Sequence, residues 1–174
     1  MGAIIASLAW AAASFFNLVL PGKENSPLTL SAEAIAEAGM LVALVGLRVL
    51  QARSLGRLGV IGFALAFCGV GLALLATLVG IAISAAHLLG TLLEIVFGLG
   101  LLGWVVGFVL FGIATFRAKV LPGWCGVLLA AYPLLLLVLL AAFGGGPLAG
   151  LLWLALGYAL WTRDMVGEHP SHVR

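Results

Sequence analysis

The fold is decided by 59 consecutive residues in the middle of the chain, LGVIGFALAFCGVGLALLATLVGIAISAAHLLGTLLEIVFGLGLLGWVVGFVLFGIATF at positions 58–116. The only acidic or basic side chains in this stretch belong to His87 and Glu94. As a single helix it would be about 88 Å long at 1.5 Å per residue, whereas a helix of roughly 30 Å is long enough to cross the hydrocarbon core of a bilayer. The stretch therefore predicts two membrane-crossing helices, with a reversal of the chain near Ser84 to Leu88.

The composition of the whole chain agrees with a membrane as its main solvent. Of the 174 residues, 64% are hydrophobic and 8% are charged, whereas a soluble domain carries about 25% charged residues. The lipid bilayer is therefore the expected partner. A net charge of +2, with the basic residues in short clusters between apolar runs, argues against nucleic acid as a partner.

Apolar runs on both sides of the central stretch extend the prediction to six spans, at about 1–20, 28–50, 58–84, 88–116, 124–143 and 148–161, followed by a cytoplasmic tail at 162–174. Breaks of polar, glycine or proline residues separate the runs, as in Pro21-Gly22, Gln51 to Arg57, and Pro122-Gly123. The predicted fold is a single all-α, polytopic transmembrane helix bundle. Because the sixth run is short, a re-entrant hairpin formed by the fifth and sixth runs is the alternative.

The basic residues predict the orientation of the six spans. On this topology Lys23 falls on one side of the membrane and seven basic residues fall on the other: Arg48, Arg53, Arg57, Arg117, Lys119, Arg163 and Arg174. Because cytoplasmic loops carry the excess of Lys and Arg, the N-terminus and the C-terminus are both predicted to be cytoplasmic.

A weak internal repeat is compatible with three helical hairpins. The second, fourth and sixth spans end alike, at 46–50, 112–116 and 157–161, and each has a basic residue in or just after its ending. Duplication of a hairpin is one explanation. Shared constraints at the membrane interface are the other, and the sequence does not decide between them.

Two of these segments also carry a resemblance. The stretch from Phe111 to Leu129, centred on Arg117-Ala118-Lys119-Val120-Leu121-Pro122-Gly123-Trp124, resembles small polytopic bacterial membrane proteins of unknown function, and the ending Leu156 to Trp161 is similar to them too. The resemblance implies a location in the bacterial cytoplasmic (inner) membrane. It supplies no activity and no site residues.

Glycines in the fourth span predict close helix packing. Gly98, Gly100 and Gly103 spell GxGxxG, but a dinucleotide site needs this pattern between a strand and a helix, and here it lies inside an apolar helix. Gly103 and Gly107 form GxxxG, which lets a neighbouring helix approach closely. Gly98, Gly103 and Gly107 are therefore the predicted packing residues.

The carboxylates are the candidates for a functional site. Glu33 and Glu37, four residues apart, share one face of the second span. Only 13 residues, or about 20 Å of helix, follow Glu37 in that span, so Glu37 is expected at membrane depth, where an ionisable residue suggests function. Neutral, hydrogen-bonded packing groups are the alternative interpretation. The topology places five polar residues in the outer half as ligand or ion candidates: Glu33, Glu37, Glu94, His87 and Asn17.

No cofactor or metal site is predicted. His169 and His172 stand three apart in the tail without a visible third ligand, and a haem would need axial histidines at bundle depth. Cys68 and Cys125 form no CxxC pair.

Three functions remain open from the sequence. The favoured one is a non-enzymatic accessory or scaffold subunit that contacts other membrane subunits or a second copy of itself, because the chain has short loops and glycine-rich helices. The second is a small transporter or a proton or cation pathway that uses the outer-half carboxylates. An intramembrane enzyme is the least favoured, because no nucleophile with a matched base is visible.

Overall fold

Helices are the regular secondary structure in the part of the protein that its structure, a computed structural model, describes. The described residues are 8–9, 27–82, 87–143 and 153–158. Four long helices occupy most of them: α1 is Pro27–Leu50, α2 is Arg57–Ala82, α3 is His87–Ala118 and α4 is Gly123–Phe143. Residues 8–9 and 153–158 are also helical, and no strand occurs in these ranges. The all-α prediction is confirmed.

Three of the helices have the length and composition needed to cross a membrane. Their apolar segments are Leu28–Leu50, Arg57–Ala82 and Ile95–Ala118, and a shorter apolar segment, Gly123–Leu136, lies in α4. The ends of α1 to α4 lie within two residues of the second to fifth predicted spans. The first predicted span lies almost wholly, and the sixth in large part, outside the described residues, so the number of six crossings stays a prediction.

The outward faces of the helices carry large apolar side chains, as expected for lipid contact. Exposed examples occur on every long helix: Val42 and Val49 on α1, Leu72 and Leu75 on α2, Leu99 and Leu102 on α3, Leu135 and Val138 on α4. Since α2, α3 and α4 are apolar on all sides, hydrophobicity does not distinguish their inward faces, and small residues mark the places where two of their backbones approach.

The closest contact in the bundle joins α2 and α3, which run antiparallel. A β-carbon placed on Gly62 would lie 2.9 Å from Cβ of Leu110, and one on Gly69 would lie 2.7 Å from the carbonyl oxygen of Gly100. On α3, a β-carbon at Gly107 would lie 2.6 Å from Cα of Ala66. Real β-carbons do not approach other atoms this closely, so glycine allows the two backbones to touch.

Glycines also allow the backbones of α3 and α4 to approach closely. A β-carbon on Gly112 would lie 2.7 Å from the carbonyl oxygen of Gly126, and one on Gly126 would lie 2.6 Å from the backbone nitrogen of Phe116. In the described part of the chain, close backbone contacts link α1 to α2, α2 to α3 and α3 to α4, in chain order. The helices therefore pack as consecutive neighbours.

A core of large side chains fills the space that the glycine contacts leave. Each of the rings of Trp104, Phe108, Tyr132 and Trp153 has its centroid 5.4 to 5.9 Å from at least two of the others. Trp153 is fully buried, so it attaches the segment 153–158 to α3 and α4. Side chains of α1, such as Leu44, join the same cluster.

The described basic residues lie at one end of the bundle. The turn after α1 is held by the carbonyl oxygen of Gln51, which accepts hydrogen bonds from the backbone nitrogens of Ser54 (2.9 Å) and Leu55 (3.0 Å) and from Oγ of Ser54 (3.1 Å). Lys119, with φ of 53°, ends α3 in the left-handed conformation. The end of α1, the start of α2, the end of α3 and the start of α4 thus lie together. We call this the basic end and define it by five residues: Arg48, Arg53, Arg57, Arg117 and Lys119.

Candidate functional site

Glu33 and Glu37 lie beside the buried stripe of α1. That stripe includes Ala36 and Met40, which are 0% and 2% exposed. Both glutamates are half-buried, and they interact electrostatically with one another. Their side chains therefore lie where α1 approaches the rest of the bundle instead of facing fully outward.

A hydroxyl group from α2 contacts the inner of the two acids. The side chain of Thr77 lies close enough to the carboxyl group of Glu37 to interact with it, and because a carboxylate can only accept, the hydroxyl would be the donor. Oε2 of Glu37 is buried and has no hydrogen-bond partner. The carboxyl group therefore has one polar neighbour from α2 and one oxygen without a partner.

No described cation lies near this carboxyl group. The described basic side chains belong to the basic end, and the nearest to Glu37 along α1 is Arg48, about 16 Å away along the helix axis at 1.5 Å per residue. Glu37 is therefore a half-buried acid without a described ionic partner. Such a group is expensive to keep charged.

Another acid, Glu94, lies near the start of α3, at a similar height along the bundle to Thr77. Gly69 of α2 packs on Gly100 of α3. From that contact, Thr77 lies eight residues towards the end of α2 and Glu94 lies six residues towards the start of α3, which is about 12 Å and about 9 Å along the two antiparallel axes. The side chains of Glu94 and His87, and the whole of Asn17, lie outside the described residues.

The three predicted packing glycines have different surroundings. Gly107 lies against the backbone of α2, at Ala66. A β-carbon on Gly103 would make an ordinary contact, 3.5 Å from the carbonyl oxygen of Leu65, and one on Gly98 would have no neighbouring heavy atom within 4 Å. Of these three glycines, Gly107 is therefore the one that the close approach of the two backbones requires.

Two buried polar side chains at the basic end were not singled out from the sequence. Gln51, assigned above to a polar loop, is 0% exposed, and neither heteroatom of its amide has a partner. Thr115 is 1% exposed, and its Oγ1 has no partner either. Gln51 continues the buried stripe of α1 one turn beyond Leu47, and this spacing is the signal that could have predicted its burial.

The aromatic core contains a second polar pair. Oη of Tyr132 and Nε1 of Trp153 are both buried, and the two groups interact without reaching a regular hydrogen bond. The rings meet edge to face at 81°. Their packing, more than their polar atoms, holds the segment 153–158 in place.

The described residues assemble no group of three or more His, Cys, Asp or Glu side chains that could hold a metal ion. Comparisons of the chain with protein-family models, with curated proteins and with solved structures find no match. Fold and site together define a class: an all-helical protein with apolar helices of membrane-spanning length and a half-buried carboxyl–hydroxyl pair between two of them.

Proposed function

We propose that this chain is an integral membrane protein that acts without catalysis, as an accessory or scaffold subunit that contacts lipid and other membrane subunits or a second copy of itself. One observation carries the proposal. The polar pair of Glu37 and Thr77 is separated from the polar groups at the basic end by a core of large buried side chains. Among the described members of that core, only Trp104, Tyr132 and Trp153 carry polar side-chain N or O atoms.

The core between the two polar levels consists of large, fully buried side chains. Leu44 and Leu47 of α1 and Phe108 and Phe111 of α3 are each 0% exposed and belong to one cluster. Along α1, 14 residues, or about 21 Å, separate Glu37 from Gln51. A pathway for ions or protons needs polar groups or water across such a distance, and this packing favours a non-conducting bundle.

The proposed location is the bacterial cytoplasmic membrane, with both termini on the cytoplasmic side. The grouping of Arg48, Arg53, Arg57, Arg117 and Lys119 at one end of four helices supports this orientation. On it, the Glu37–Thr77 pair lies in the outer half of the membrane.

Reconstitution tests whether the bundle conducts. Purified protein in liposomes that contain a pH-sensitive dye should pass no protons or monovalent cations above the level of empty liposomes. If the parent shows flux that disappears in Glu37→Gln but persists in the matched variant Glu33→Gln, the accessory role is contradicted and a pathway through Glu37 is indicated.

Site-specific cross-linking tests for a partner. A photoreactive side chain is placed, one at a time, at the exposed positions Val42, Leu72, Leu102 and Leu135 in native membranes. An adduct with a protein of one defined size, or with a second copy, confined to one helix face is expected. Adducts with lipid alone at all four positions would contradict a subunit role.

A second candidate function is the binding of a proton or cation at Glu37. The unpartnered Oε2 beside the Thr77 hydroxyl favours it, because an open carboxyl oxygen can hold either. Melting temperatures of the parent and Glu37→Gln, measured against pH and added divalent cation, test it. A parent that is indifferent to pH between roughly 5 and 8 and to cations would exclude this candidate.

A further inference from the structure

We propose that the basic end binds the head group of an anionic phospholipid, between the start of α2 and the end of α3. The proposal does not depend on the accessory role, because it concerns a different surface of the bundle. It goes beyond the use of these residues as determinants of topology.

The charge at this end is of one sign among the described side chains. Arg53, Arg57, Arg117 and Lys119 are exposed, and Arg48 is partly exposed. The described acidic side chains, Glu33 and Glu37, lie in the opposite half of α1. A phosphodiester therefore meets several cations here and no described carboxylate that would repel it.

The helix packing brings three of these cations to adjoining helix ends. A β-carbon on Gly59 would lie 3.1 Å from Cβ of Ala114, so α2 and α3 are in contact close to their ends. Arg57 lies two residues before this contact on α2, and Arg117 lies three residues after it on α3. Lys119 follows in the left-handed conformation that ends α3. Arg48 belongs to α1, which makes no close backbone contact with α3 in the described residues.

Exposed aromatic side chains next to these cations favour a lipid over a soluble anion. Phe116 is 53% exposed and Trp124 is 44% exposed. The Phe116 ring lies beside the start of α4, where a β-carbon on Gly123 would be 3.3 Å from its Cε2. Basic groups for a phosphate, with exposed aromatic side chains at the same end of the bundle, match a phospholipid at the interface.

The test titrates purified full-length protein in detergent with phosphatidylglycerol or phosphatidylcholine and counts bound lipids by native mass spectrometry. The variants are Arg57→Gln, Arg117→Gln, the double variant, and Arg48→Gln as the control with the same loss of charge on α1. The parent should prefer phosphatidylglycerol. The double variant should lose about thirtyfold in apparent affinity, which is about 2 kcal/mol at 1.4 kcal/mol per tenfold.

Three controls separate a site from general attraction to a charged surface. Arg57→Gln and Arg117→Gln should each weaken binding more than Arg48→Gln, and Arg57→Lys should retain most of it. Equal binding of both lipids, or equal losses in all three single variants, would overturn the proposal. So would an increase in melting temperature with inorganic phosphate as large as that with phosphatidylglycerol, because the ligand would then be a free anion. Lipid-free melting temperatures show whether each variant is folded.

Discussion

At the scale of single residues, two kinds of position matter in the bundle. Glycines allow helix backbones to touch, and Glu37 carries a carboxyl group of which one oxygen has no hydrogen-bond partner. Gly107 is in contact with the backbone of α2, whereas Gly98, nine residues earlier in the same helix, faces open space. Glu37 has one helix neighbour for its carboxyl group and one oxygen without a partner. Each position can be tested by removing or adding a few atoms.

Alanine at Gly107 should destabilise the protein. Its β-carbon would lie 2.6 Å from Cα of Ala66 and 2.7 Å from the carbonyl carbon of Leu65, so α2 and α3 must separate, and overpacking of this kind costs about 1–3 kcal/mol. Gly98→Ala is the matched control and should be neutral or slightly stabilising. The free energy of unfolding in mild detergent measures both. Equal effects of the two substitutions would contradict a backbone contact at Gly107.

Valine at Thr77 should cost about 1–3 kcal/mol, because it removes the hydroxyl that lies beside the half-buried carboxyl group of Glu37. The cost should shrink when Glu37 is replaced by leucine, since no acceptor is then left without its partner. A double-mutant cycle on unfolding free energies gives the coupling between the two positions. A cycle with no coupling would mean that the hydroxyl and the carboxyl group do not interact in the folded protein.

At the scale of elements, the segment 153–158 joins the core through Trp153 and Leu156, and Trp153 supplies the ring contacts with α3 and α4. Trp153 is 0% exposed and packs on Phe108 and Tyr132 at ring-centroid distances of 5.9 and 5.7 Å. Because the polar atoms of Trp153 and Tyr132 lack regular hydrogen bonds, the rings themselves should supply the attachment.

This attachment can be tested with one substitution that removes a ring and another that removes only a polar atom. Trp153→Ala should cost about 3–5 kcal/mol, whereas Tyr132→Phe keeps the ring and should be neutral or stabilising, because it removes a buried oxygen without a regular partner. Thermal unfolding of both variants in the same detergent provides the measurement. A large loss in Tyr132→Phe would show that its hydroxyl makes a stabilising hydrogen bond.

At the scale of the whole molecule, the described helices pack as consecutive neighbours with their basic ends together. An antiparallel order of α2, α3 and α4 places successive loops at alternate ends. This order is what a bundle of membrane-crossing hairpins requires.

Accessibility to an impermeant thiol reagent tests six crossings. Single cysteines at Asn25, Ser54, Gly145 and Ser171, in a variant without Cys68 and Cys125, are probed in intact cells. Reagent from outside should reach positions 25 and 145 only, because the basic loops are predicted to be cytoplasmic. Labelling at position 54 or 171 would contradict the predicted topology. Protection of position 145 would favour a re-entrant hairpin formed by the last two spans.

The sequence by itself determined the helices and the end at which the basic residues collect. Apolar length, proline and glycine breaks and positive charges are local properties, and a bilayer fixes the length that each helix needs. For this reason the ends of α1 to α4 follow from the sequence to within two residues. The position of Glu33 and Glu37 on one face of α1 also follows from their spacing.

Only the tertiary structure decided which residues meet. Because α2, α3 and α4 are apolar on every side, no periodicity marks their inward faces, and Gly98 and Gly107 look alike until α2 is placed against one of them. The contact of Thr77 with Glu37, the burial of Gln51 and the position of Trp153 between two helices depend in the same way on neighbours distant in sequence. In a membrane, hydrophobicity sets where a helix lies, and the shape of its neighbours sets which face it turns to them.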